Sequence, residues 1–187
     1  MTATTLNPLS HADVSPAVNL ELPPKKLLPW LQDKGSLTLK LKALCRSFEV
    51  ELLQEGVLPA AQPGPGWELG QPIWQREVLL KLDGVAWVYA NTEVPMSTLD
   101  ASEIDFATLG RQPLGERLFA ASNLVRGPLK VCHYGDNSTA VWQARRLGYQ
   151  AQEGLWGRQR EFELQHRCLR ISEVFLPSSY PTLLKNS

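Results

Sequence analysis

Apolar and polar positions alternate most sharply between Ile73 and Thr92, where IWQREVLLKL and VAWVYANT flank Asp83-Gly84. Two β-rich runs around an Asp-Gly dipeptide predict a hairpin closed by a two-residue turn. An unbroken ladder then pairs Leu82 with Val85, Leu80 with Trp87, Val78 with Tyr89 and Arg76 with Asn91. Strand side chains alternate, so these residues share one face, and Arg76 points to the apolar side. Gln75, Glu77 and Lys81 are left facing solvent. A second hairpin is predicted over about residues 158–164 and 169–176. In its last strand Leu169, Ile171, Glu173 and Phe175 share a face, which sets an acid on an apolar stripe. FEVELLQ, from Phe48 to Gln54, and residues 129–133 are further strands.

Helical signals are shorter. Ser36 has the form of an N-cap before a stripe of Leu37, Leu41 and Leu44. Beyond Pro95 two helices are expected: the first has Asp100 and Glu103 as a capping pair and ends at Gly110, and the second opens at Pro113. Thr139 to Leu147 forms another, stopped by Gly148. Residues 1–24, dominated by Thr, Ser, Asn and Pro, read as a mobile tail, and residues 25–187 as one domain. Strands come in hairpins and never alternate with crossover helices. The expected fold class is therefore α+β, a single mainly antiparallel sheet rather than a doubly wound one.

Charge and composition remove several function classes. The chain has 187 residues, with 19 basic residues against 19 acidic ones, so it lacks the positive excess of a non-specific nucleic-acid binder. No apolar run reaches the length of a membrane span, and no basic segment followed by an apolar one marks a secretory signal, so a cytoplasmic location is expected. Cys45, Cys132 and Cys168 are odd in number and widely spaced, and His11, His133 and His166 are scattered, so neither a disulfide framework nor a metal site is expected. A glycine-rich phosphate loop and a GxSxG elbow are both missing from the sequence, which argues against nucleotide cofactors and a serine hydrolase. Cys132 and His133 are neighbours on a strand and face opposite ways, which favours a structural role. Two charges on apolar stripes remain, Arg76 and Glu173. They are a buried structural Arg–Glu pair, or the sign of an alternation broken by a bulge, or the parts of a pocket above the sheet. In the pocket, Arg76 would clamp a carboxylate in two-pronged fashion and Glu173 would meet a hydroxyl or a proton in transit.

The blocks IWQREVLLKLDGVAWVYANTEVPMSTL, LGRQPLGERLFAASNLVR, GLWGRQREFEL and ISEVFLPSSYP, in this order and spacing, resemble the chorismate lyase family. The resemblance implies a cofactor-free, cytoplasmic, monomeric enzyme that converts chorismate to 4-hydroxybenzoate and pyruvate for ubiquinone synthesis. It also implies helices and flap segments closing the sheet over a buried pocket. By the matching motifs, Arg76 in W-x-R-E binds the ring carboxylate and Glu173 in E-x-F-L-P is the pocket glutamate. Leu114 in P-L-G and Leu37 in the S-L-T stretch line the product site. Family members commonly carry an arginine where this chain has Asn91, which the simple register sets opposite Arg76. Asn91, Arg126 and Arg158 are then the candidates for contact with the second carboxylate of chorismate. Residues 133–152 read as an insertion that decorates the surface. The same architecture serves effector domains that bind small molecules without turnover, which is the alternative reading.

Overall fold

The computed structural model describes residues 22–99, 110, 112–114, 118, 124–164 and 167–183. Its frame is a six-stranded sheet with every pairing antiparallel: β1 (Phe48–Pro59), β2 (Pro72–Leu82), β3 (Val85–Pro95), β4 (Leu124–Tyr134), β5 (Leu155–Leu164) and β6 (Arg167–Phe175). The strand order β1-β2-β3-β6-β5-β4 makes two three-stranded meanders that meet where β3 pairs with β6. The helices are short: α1 (Leu28–Leu31), α2 (Leu37–Lys42), α3 (Met96–Leu99), α4 (Thr139–Arg146) and α5 (Tyr180–Leu183). As expected, Ser36 caps α2, its hydroxyl accepting from Leu39 N–H at 3.4 Å. Among these described helices none is long and apolar enough to cross a membrane.

The β2–β3 turn forms as its sequence demands. Asp83 and Gly84 both adopt positive φ, 48° and 83°, the backbone of a two-residue turn that glycine and aspartate tolerate. Asp83 Oδ1 accepts from the backbone N–H of Arg46 and Ser47, which ties the turn to the start of β1. Beyond the turn the simple register fails. Lys81 pairs with Ala86, but Leu80 pairs with Val88, so β3 carries an extra residue at Trp87. Such a bulge flips every later side chain of β3 relative to the unbroken ladder. Val88, Ala90, Thr92 and Val94 join the face of Arg76, here called the front, while Tyr89, Asn91 and Glu93 turn to the back. Arg76 therefore lies opposite Thr92, and Asn91 opposite Glu77, contrary to the pairing expected from the sequence.

Both faces are covered. On the front, Leu27, Leu31, Leu37 and Leu41 pack against Val50, Val78, Leu80, Val88 and Phe175. Farther along, Leu114 and Leu118 close over Trp74, Val94, Phe162 and Leu169. On the back, Ala140, Val141 and Ala144 of α4, with Ala151, cover Leu79, Tyr89, Tyr134 and Val174. The segment expected to decorate the surface thus packs into the core on the back of the sheet. Gln75 and Glu77, expected in solvent, lie on this covered face and are 1% and 4% exposed, and Gln75 Nε2 donates to the Pro59 carbonyl at 3.4 Å. Residues 1–21 and the stretch 100–109, where the first helix beyond Pro95 is expected, lie outside the described residues, as does most of the stretch expected to form the second, from Pro113.

Candidate functional site on the front face

Arg76 is 2% exposed in the middle of β2. Its Nε donates to Glu55 Oε2 at 3.1 Å from the neighbouring strand, and its Nη2 donates to the carbonyls of Gly110 at 2.6 Å and Gln112 at 3.4 Å. Burial pulls the pKa of this guanidinium down and the Glu55 carboxylate pushes it back up. Guanidinium basicity is high enough that the group stays cationic. Leu114, two residues beyond Gln112, packs on Trp74 and Val94, so the segment that accepts from Arg76 is anchored in the core beside it.

Glu173 lies on β6 opposite Ala90, and Arg158 on β5 lies directly opposite Glu173. Arg158 Nε donates to Glu173 Oε2 at 2.6 Å, and Arg158 Nη1 reaches the carbonyls of Trp30 at 3.2 Å and Asp33 at 2.8 Å. The preceding residue must be glycine: a Cβ on Gly157 would sit 2.6 Å from the Glu173 carbonyl oxygen and 2.9 Å from the Tyr134 ring. Through its two carbonyl contacts Arg158 holds the end of α1 and the α1–α2 connection beside the acid. That connection is clasped by Lys40, whose ammonium meets Asp33 Oδ2 at 2.6 Å and lies 4.5 Å from the Trp30 ring centre. The hydrogen bond from Lys40 is the main cause that holds the Asp33 carboxyl below its ordinary pKa.

Strand register relates these groups. Glu55, Arg76, Thr92, Ile171, Arg160 and Leu129 form one row straight across the sheet. Val78, Ala90, Glu173, Arg158 and Val131 form the next row on the same face. Arg76 and Glu173 are two strands and two residues apart, a Cα separation of about 12 Å from standard sheet spacings. The floor between them is Ala90 and Thr92. Leu37 is buried in the cluster that contains Val78 and Ala90. The four residues expected at the pocket are therefore gathered on or over one face.

The second-carboxylate candidates separate. Asn91 is on the back face, where its Oδ1 is buried without a hydrogen-bond partner. It faces a cavity of about 30 Å³ shared with Tyr89, Tyr134 and Ser172. Arg158 is on the front but committed to Glu173 and two carbonyls. Arg126 is exposed on β4. Sequence reasoning missed Arg160, 8% exposed, whose Nη1 donates to the Lys34 carbonyl at 3.2 Å and whose Nε is buried without a partner. Arg160, Arg158, Glu173, Ile171, Phe162 and Gly35 surround a second cavity of about 30 Å³. The alternation of Arg158 and Arg160 on β5 was a usable signal, but only the pairing with β6 reveals that both sit beside Glu173. One acid beside two guanidiniums at this cavity, with apolar walls and Arg76 farther along the same face, suits a small carboxylate that also carries a hydroxyl.

Residues 9–183 match the family model described as chorismate lyase. A probable chorismate pyruvate-lyase of a Shewanella species (strain W3-18-1) is 42% identical over 160 residues, covering 85% of this chain and 84% of the relative. One from Pseudomonas entomophila, a probable chorismate pyruvate-lyase 2, is 37% identical over 155 residues, covering 81% and 80%. Among solved structures, PhnF from Mycobacterium smegmatis matches with a TM-score of 0.52 at 19% identity, over 79% of this chain and 66% of that one. That likeness is one of fold alone.

Proposed function

The chain belongs to the chorismate lyase family, and on that premise we propose that it eliminates pyruvate from chorismate to leave 4-hydroxybenzoate. The observation that carries the reading is the shared front face of Arg76 and Glu173, both under cover segments and about 12 Å apart at Cα. Side chains extending from both ends leave a span that suits a six-membered ring with a carboxylate at one end and a hydroxyl at the other.

Arg76 anchors the ring carboxylate. Glu173, oriented by Arg158, accepts a hydrogen bond from the hydroxyl at C4. Leu37 and Leu114 supply apolar walls. In the reaction the C4–H and C3–O bonds break, the ring becomes aromatic, and the departing enolpyruvate takes up the proton as it becomes pyruvate. The elimination is redox-neutral and driven by aromaticity, so it needs geometry and charge stabilisation rather than a cofactor. The surrounding guanidiniums offset charge developing on the departing oxygen. In this reading the protein acts in the cytoplasm, as a monomer, at the entry to ubiquinone synthesis.

The test is to incubate the purified protein with chorismate in buffer containing EDTA and to follow both products. Equal amounts of 4-hydroxybenzoate and pyruvate are expected. Binding of 4-hydroxybenzoate with chorismate left intact would instead identify an effector-sensing domain of the same fold.

A further inference from the structure

Resting on that reading, we propose that Arg160 binds the second carboxylate of the substrate, the one carried by the enolpyruvyl group. The ring carboxylate and the C4 hydroxyl are para to each other, and the enolpyruvyl ether leaves C3, the carbon next to C4. With the ring carboxylate on Arg76 and the hydroxyl on Glu173, the second carboxylate falls beside Glu173, at the end of the pocket away from Arg76. Arg160 occupies that place. It is the diagonal neighbour of Glu173 across the β5–β6 pair, and it closes the row that begins at Glu55 and Arg76. Three strand spacings separate the two arginines, about 14 Å at Cα, which two long side chains reaching inward reduce to the span of a dicarboxylate.

The other arginines of this region are less suited. Arg158 spends Nε on Glu173 and Nη1 on two carbonyls. Arg126 is exposed and does not line the cavity beside Glu173. Arg160 lines that cavity with a buried, unpartnered Nε. Its electrostatic surroundings also want an anion. Burial first, and then the like charges of Arg158 and Arg126, disfavour its charged form. The nearby acids are engaged elsewhere, Glu173 with Arg158 and Asp33 with Lys40. At about 30 Å³ the cavity is smaller than an enolpyruvyl group, so the ligand enters as the wall of Lys34 and Gly35 shifts. That shift takes the Lys34 carbonyl off Nη1 and leaves the guanidinium, with its unpartnered Nε, free to turn toward the incoming carboxylate.

The experiment compares substrate with product, because 4-hydroxybenzoate lacks the second carboxylate. For Arg160→Gln, KM for chorismate should rise roughly 10- to 100-fold, while the Kd for 4-hydroxybenzoate stays within about two-fold of wild type. An unchanged KM would overturn the proposal. So would equal losses for substrate and product, which would mark a support role for the pocket as a whole. Chorismate methylated on its enolpyruvyl carboxylate keeps the test independent of any variant's folding. Wild-type protein should lose the same factor on this ester, and the ester turning over as well as chorismate would refute the assignment. Failure of the wild-type protein to bind either chorismate or 4-hydroxybenzoate would sink the underlying reading, and this proposal with it.

Discussion

The two faces of the sheet are both buried and both carry charge, yet they handle it differently. On the back, Glu93 and Arg170 lie opposite each other on β3 and β6 and form a two-pronged pair, Nε to Oε2 at 2.7 Å and Nη2 to Oε1 at 2.9 Å. Gln159 and Ser172 satisfy each other beside them, at 3.1 Å. Here the buried guanidinium has a carboxylate of its own on the adjacent strand, and the buried acids, Glu93 and Glu77, outnumber it. On the front, Arg76, Arg158 and Arg160 outnumber the carboxylates they touch and lean on main-chain carbonyls from the cover segments. A buried charge is thus weak evidence of a site, because either face could be named on that ground. The imbalance of guanidiniums over acids, with cover segments as the stopgap acceptors, is what distinguishes the front.

That contrast can be broken. The largest effect expected is on the back face. Arg170→Met leaves Glu93 buried without its partner and should cost roughly 3–5 kcal/mol of stability, read from the denaturant midpoint. The protein that remains folded should keep its affinity for 4-hydroxybenzoate. A loss of product affinity in that folded fraction would show that the back face belongs to the site after all.

The front face should respond in the opposite sense. Arg76→Ala should weaken 4-hydroxybenzoate binding by roughly 2–5 kcal/mol by calorimetry. Its stability cost should be smaller than that of Arg170→Met, because Glu55, with 22% of its side chain exposed, can turn to water. Normal product binding by this variant would remove Arg76 from the site. Glu173→Gln keeps a hydrogen-bond acceptor toward Arg158, so the fold should hold while kcat falls roughly 10- to 100-fold. Unchanged turnover would leave Glu173 a structural partner of Arg158.

The smallest effect sharpens the comparison most. Asn91→Arg restores the residue type common in the family, and the simple register would set it beside Arg76. The bulge at Trp87 sends it to the back, opposite Glu77. Chorismate KM should therefore change by less than about two-fold, as for a substitution outside the site. A clear fall in KM would mean that position 91 reaches the ligand and that the cation assignment on the front needs redrawing.

Much of this protein was legible in its local chemistry. Asp83-Gly84 dictates its turn, Ser36 its cap, and the alternation of Leu169, Ile171, Glu173 and Phe175 the face on which the acid lies. Arg76 stood out because a charge on an apolar stripe breaks the pattern, and the ordered motif blocks pointed to the family. These are short-range signals, carried by steric limits on φ and by the two-residue period of a strand. Tertiary structure decided the rest. One inserted residue at Trp87 reversed the face of Asn91, and nothing in the alternation of VAWVYANT marks where the slip occurs. Burial of Gln75 and Glu77 depended on cover over the back face, which the alternation within β2 does not announce. Arg160 became visible only when β6 inserted between β3 and β5, since a side chain's neighbours across a sheet are set by pairing rather than by sequence distance.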